Sequence, residues 1–216
     1  MQKIKHNWGK VEAMRLTIYT FLCFLILTLI LVSQSFAMEP FYKGHWGMTP
    51  EQVADEYDGI APSYVDRDVY ATCFTYVGLT INDYACETAY FFVNDDGDTY
   101  RLRNVWVGFA FNELGLEECE SFAAELRDMI EREIEPDKAR YKRFDGQPAE
   151  AAKNDQKWLV CWLSGTDCIS LDYTWDDSGG NGYDLLVDLN FYDITHHEYE
   201  YYYKQRLAGL KFSNMK

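Results

Sequence analysis

The spacing of apolar residues changes along this chain, and the changes divide it into elements. Leu16 to Val32 reads LTIYTFLCFLILTLILV and carries no charge. Further on, Met48-Thr49-Pro50-Glu51-Gln52-Val53 has the form of a helix start. Thr49 can cap, Pro50 suits the first turn, Gln52 can reach back to the cap, and Met48 can pack on Val53 as a hydrophobic staple. With Gly59 as its stop, this first helix is expected from Pro50 to Asp58. Tyr70 to Val77, Cys86 to Val93 and Thr99 to Phe111 are rich in Tyr, Phe, Val and Trp, with Asp96-Gly97 as a turn signal. They predict an antiparallel meander of three strands.

The period then lengthens. Cys119, Phe122, Ala123, Leu126, Met129, Ile130 and Ile134 recur at three- and four-residue spacing, which predicts a helix from Leu116 to Ile134 with one charged, wet face. Glu117 and Glu118 favour its start through the helix dipole, and Pro136 stops it. A polar linker, Asp137 to Gln156, leads to expected strands at Lys157 to Leu163, Thr166 to Trp175 and Tyr183 to Tyr192. In these, Ile169, Leu171, Tyr173 and Trp175 share one face, as do Leu185, Val187, Leu189 and Phe191, so that one side of the sheet is buried. Thr195-His196-His197-Glu198 repeats the capping pattern and predicts a third, amphipathic helix ending near Gly209, in preference to an edge strand through Tyr199, Tyr201 and Tyr203. The expected fold class is α+β: antiparallel sheet built from two helix-plus-three-strand units, with the helices packed on one face.

The apolar run at the start reads as export chemistry. Lys3, Lys5, Lys10 and Arg15 precede it and Ser35-Phe36-Ala37 follows, the charged, apolar, small-x-small order of a cleavable signal. Residues 1–37 are therefore expected to be the leader, with an uncleaved anchor as the alternative, and 38–216 an α+β domain or two tandem halves, 38–113 and 114–216. The expected location is periplasmic or extracellular, with no stable membrane insertion once the leader is removed. The leader holds four of the 20 Lys and Arg and one of the 35 Asp and Glu, leaving 16 against 34, a net charge of −18. Such a surface repels phosphate backbones and excludes nucleic acid as a natural partner. Aromatic residues make up 17% of the chain, which argues against disorder as the reason for the acidity.

In an oxidising compartment cysteines read first as disulfide partners. A two-residue turn at Ser164-Gly165 would place Cys161 opposite Cys168, and Cys73 and Cys86 are symmetric about Leu79-Thr80. Both pairs are expected to be structural bridges. Cys119 is left over on a helix stripe, as a buried small hydrophobe.

Catalytic signatures are missing: there is no Gly-rich phosphate loop, no H-E-x-x-H and no G-x-S-x-G. No catalytic residue, metal ligand or cofactor is assigned. Asn94, Asp96 and Asp98 have calcium-loop spacing, but Thr99 stands where such a loop needs Gly, so they read as a hairpin turn with solvated acids. Asp176 and Asp177 read the same way. His196 and His197 diverge by about 100 degrees on a helix and read as a surface feature. Trp106, Trp162 and Tyr199 to Tyr203 read as core first and as a protein-binding patch second.

The stretch Phe41-Tyr42-Lys43-Gly44-His45-Trp46-Gly47-Met48-Thr49-Pro50-Glu51-Gln52-Val53 resembles the opening of a broad group of uncharacterised exported bacterial proteins, which continue with a meander, a helix and further strands. At the level of the helix-then-meander module, the chain also resembles the secreted β-lactamase-inhibitor protein and the small lipoproteins of outer-membrane assembly. That resemblance implies action by binding another protein, although no lipid-accepting Cys follows the leader. The expectation is an exported, non-enzymatic protein-binding or envelope-accessory protein. The alternatives are a hydrolase using Asp or Glu in a cleft between the halves, and a binder of small ligands or carbohydrate through exposed Trp and Tyr.

Overall fold

The structure, a computed structural model, describes residues 38, 41–68, 70–94, 99–146, 156–177, 182–196 and 211–213. Met1–Phe36 forms one unit and lies outside the described residues; Ala37–Lys216 forms the other and holds all the described elements. Thr49 caps helix α1, Pro50–Glu56: its hydroxyl accepts from the Gln52 N–H, and the Gln52 side chain accepts from the Thr49 N–H. Strands β1 (Tyr64–Arg67), β2 (Ala71–Ile81), β3 (Tyr84–Asn94) and β4 (Tyr100–Leu114) follow. Helix α2, Leu116–Ile134, then runs into a 3-10 turn at Glu135–Arg140. Strands β5 (Lys142–Gly146), β6 (Gln156–Leu163), β7 (Asp167–Asp177), β8 (Tyr183–Asp193) and β9 (Lys211–Ser213) complete the described elements.

The strands join in one antiparallel sheet of nine, in the order β1-β2-β3-β4-β8-β7-β6-β5-β9. This corrects the expected α+β arrangement of helix-plus-three-strand units. Each meander has a fourth strand that the sequence reading missed, β1 in the first and β5 in the supposed linker. The two meanders do not close separate sheets either. β4 pairs directly with β8, from Asn104 opposite Tyr192 to Phe111 opposite Leu185. A bare β4 edge would leave a row of backbone donors and acceptors unpaired beside a fully apolar face, and the ladder satisfies them. Of the expected third helix, Thr195 and His196 lie in a turn and residues 197–209 lie outside the described residues.

One face of the sheet carries the core. Tyr76, Tyr90, Phe92, Val105, Val107, Phe109, Val187, Leu189 and Phe191 project from it, and both described helices pack there. All seven stripe residues of α2 are buried. Phe122 is the hub, edge-on to Tyr84, Phe109 and Phe111 at centroid distances of 4.6, 5.2 and 4.7 Å.

The hairpin registers bring neither expected disulfide pair opposite each other. The β2–β3 turn falls at Asn82-Asp83, both at positive φ (50° and 71°), three residues later than the symmetry of the cysteines requires. Cys73 therefore lies opposite Phe91 and Cys86 opposite Leu79, and Cys73 is on the face away from the core while Cys86 is within it. In the β6–β7 hairpin the turn centres on Gly165-Thr166, closed by the Ser164 N–H donating to the Asp167 carbonyl. Cys161 faces Ser170 and Cys168 faces Leu163, one diagonal step apart. All five described cysteines are free thiols, and only Cys73 among them is not buried.

Two measurements check this packing. Phe122→Ala should lower unfolding free energy by about 3–5 kcal/mol in urea denaturation with little change in slope, the cost of an aromatic cavity in a core. Under native conditions iodoacetamide should label Cys73 before Cys86, Cys119, Cys161 and Cys168, and a non-reduced tryptic map should show every one of these five as a free thiol.

Candidate functional site

The stretch before α1 lies across the end of the sheet. The Gly47 N–H donates to the Leu102 carbonyl at 3.1 Å, and the Leu102 N–H donates to Met48 at 2.8 Å. Phe41 and Tyr42 rest on Phe191, with centroids 5.8 and 4.8 Å away. Trp46 Nε1 donates to Asp167 Oδ1 at 2.6 Å, and Asp167 also accepts from the Thr166 and Ser164 hydroxyls. Asp193, opposite Asp167 in the β7–β8 ladder, is 3% exposed and pairs with Arg103 at 2.5 Å. Two carboxylates thus stand side by side, but each is taken up by fixed donors that hold the sheet end together. The β4–β8 ladder occupies the place where a cleft between halves was expected.

Beside this end plate, between α1 and the β2–β3 hairpin, is a cavity of about 460 Å³. Lys43, Tyr57, Leu79, Ile81, Cys86 and Thr88 are among the residues that line it. Tyr57, at the C-terminal end of α1, lies flat on Tyr76 at 4.0 Å and meets Tyr90 edge-on at 6.0 Å. Its hydroxyl shares a 2.7 Å hydrogen bond with that of Tyr90, which also accepts from the Lys43 N–H at 3.0 Å. Lys43 Nζ donates to the Glu56 carbonyl at 2.9 Å and stands 5.2 Å over the Tyr57 ring. The Tyr76 hydroxyl and Thr88 Oγ1 are buried, and neither has an oxygen or nitrogen partner among the described residues. The polar neighbour of Thr88 is the Cys86 thiol, a weak acceptor, which burial pushes upward in pKa and the Thr88 hydroxyl draws partly back.

The third feature is an edge. Every residue of β1 is exposed. The Asp68 N–H donates to the Ala71 carbonyl, and alternation along the strand then turns the N–H groups of Arg67 and Val65 to the unpaired side. Among the described residues seven large apolar side chains are exposed, and five of them, Ile60, Tyr64, Val65, Tyr70 and Val77, lie in or beside β1 and β2. Asp58, Asp66 and Asp68 are exposed around them.

The residues singled out from sequence are scattered. Trp162 is wholly buried, and Trp106 lies half-buried on the opposite face, its ring over Gly108 where a Cβ would collide with it, and its Nε1 donating to Asp188 Oδ1 at 2.8 Å. Asp96, Asp98, His197 and Tyr199 to Tyr203 lie outside the described residues, while Asp176 and Asp177 end strand β7. Among the described residues no group of three metal-ligating side chains converges. No described helix is long and apolar enough to cross a membrane. Sequence reasoning missed Lys43, Tyr57 and Thr88 at the cavity and Tyr64 and Val65 at the edge. A signal for Tyr57 was present, four residues after Val53 on the buried side of α1.

The buried phenols have a shared consequence. Burial pushes Tyr57, Tyr141 and Tyr173 up to about 12 and raises Tyr42 and Tyr90 further. Unfolded tyrosines ionise near 10, so the unfolded state loses protons first as pH rises. The stabilisation is complete below pH 10 and is lost as pH climbs through about 12. Absorbance at 295 nm should therefore show a delayed class of tyrosines that ionise together with the loss of the folded circular dichroism signal. Compared with known proteins, the chain matches no family model, no curated protein and no solved structure.

Proposed function

We propose that the chain is an exported, non-enzymatic binding protein of the envelope-accessory kind, which takes an extended, basic segment of a partner protein along the outer edge of β1. Export is supported by the charged, apolar and small-residue order of 1–37. The observation that carries the binding reading is the gathering of exposed apolar side chains at the one edge where backbone groups of β1 point outward. Sheet edges are normally blunted, because they template pairing with another chain. Strand addition uses that property: main-chain hydrogen bonds supply affinity, and alternate side chains supply choice.

Charge selects the partner. Asp66 in β1 and Asp68 just after it are exposed at the edge, and the whole chain carries −15, so a segment bearing Lys or Arg is drawn in and an acidic one repelled. Tyr64 supplies the aromatic anchor typical of an energetic centre.

Displayed eight-residue peptides selected on the protein should converge on alternating apolar and basic residues. Val65→Pro removes an outward N–H at an edge position where proline is tolerated, so it should leave the melting curve within a few degrees while abolishing peptide binding. Tyr64→Ala should weaken binding about tenfold or more. Peptides that bind Val65→Pro as well as the parent, or that show no basic preference, would overturn the proposal.

A further inference from the structure

The cavity beneath Tyr57 is lined by one ammonium, two buried hydroxyls and an apolar floor, and this decides what it can hold. Tyr57 and Tyr90 together bring two hydroxyl hydrogens to a single shared bond. Tyr90 also accepts from the Lys43 N–H, and whichever hydroxyl donates in the shared bond, one hydrogen of the pair is left over. Tyr57 lines the cavity, as does Thr88, which is 0% exposed and whose hydroxyl has only the Cys86 thiol, a weak acceptor, beside it. An unmet buried donor costs free energy, and a satisfied one does not. At the rim, Lys43 is exposed and forms no ion pair among the described residues, in a protein with 35 acidic side chains. Its ammonium spends one hydrogen on the Glu56 carbonyl and keeps two. Leu79 and Ile81 give the cavity an apolar floor, with the Cys86 thiol beside them.

We propose that this cavity binds a small carboxylic acid with an apolar body. Its carboxylate meets the Lys43 ammonium and the spare hydroxyl donors of Tyr57 and Thr88, and its hydrocarbon or aromatic part lies against Leu79, Ile81 and Cys86. The volume of about 460 Å³ falls in the range of small-molecule sites. An acceptor-only carboxylate can take hydrogens from the Lys43 ammonium and from both hydroxyls, whereas a cationic head would be repelled by Lys43. The site is separate from the β1 edge and does not rest on the reading of that edge.

The test is calorimetric titration of the mature protein with decanoate, 1-decanol and decyltrimethylammonium, all below their micelle-forming concentrations. Saturable one-to-one binding of decanoate, at least tenfold tighter than that of the alcohol and with no binding of the cation, is the expected result. Lys43→Gln, at an exposed position, should weaken decanoate about tenfold with an unchanged melt. Thr88→Val removes a buried hydroxyl whose one neighbour is a weak thiol acceptor, so it should hold or raise the melting temperature of the free protein while weakening decanoate several-fold. That opposite pair of effects is one a structural threonine would not give. Absence of saturable decanoate binding, equal binding of the cation, or binding indifferent to both substitutions would overturn the proposal and leave the cavity as a water site.

Discussion

The ladder between β4 and β8 is the constraint from which the rest of this structure follows. It runs through nine residue pairs, and it joins the last strand of each meander to the last strand of the other. Two half-sheets would have four edges; the fused sheet has two, with β1 at one and β9 at the other. Pairing β4 with β8 also makes one continuous apolar face from Phe74 to Trp162, on which α1 and α2 share a single core. The exposed backbone of β1 is thus a consequence of how the middle was closed. An inner strand has no outward N–H to offer, and an edge strand has one at every second residue.

The ends of the sheet needed a separate solution. Strand ends near Leu102, Asp167 and Asp193 would expose both ladder groups and the side of Phe191, and Phe41 to Met48 covers them with two backbone hydrogen bonds, two aromatic contacts and the Trp46–Asp167 bond. Burying carboxylates is costly unless each is paired and hydrogen-bonded, and here each has at least two donors. The same segment brings Lys43 to Tyr90 and thereby forms one wall of the cavity. A stretch whose Trp, Gly and aromatic residues stand out in the sequence thus serves both as a plug for the core and as the rim of a pocket.

Local signals were legible and long-range ones were not. The Thr49 cap, the Leu116–Ile134 stripe and the inward sets of β7 and β8 could be read because each depends on neighbours within four residues. The pairing of β4 with β8 depends on residues about 80 positions apart, and nothing in either strand distinguishes a partner from a free edge. β1 was missed because Tyr-Val-Asp-Arg is short and exposed on both faces, so it has no hydrophobic period to find. β5 was missed for a similar reason, as Lys-Arg-Phe-Asp-Gly reads as linker until β6 pairs with it. The cysteine pairings turned on register: a partner displaced by two residues leaves Cys161 and Cys168 diagonal on one face, and one displaced by five, an odd number because of the bulge at Gly78, puts Cys73 and Cys86 on opposite faces.

One glycine shows how small a feature can set the site. Tyr76 faces the core and Val77 faces away, so plain alternation would send Leu79 and Ile81 outward with Val77. Gly78, at φ +79°, forms a bulge between Val77 and Leu79, and the extra residue reverses the alternation. Leu79 packs on the core and Ile81 is 3% exposed, while Thr80 is exposed. The bulge therefore supplies the apolar floor of the cavity and leaves Val77 exposed beside β1, so the two surfaces owe their separation to a single backbone position. A residue with a Cβ resists that φ, and the flip is invisible to a pattern count that assumes a strict period of two.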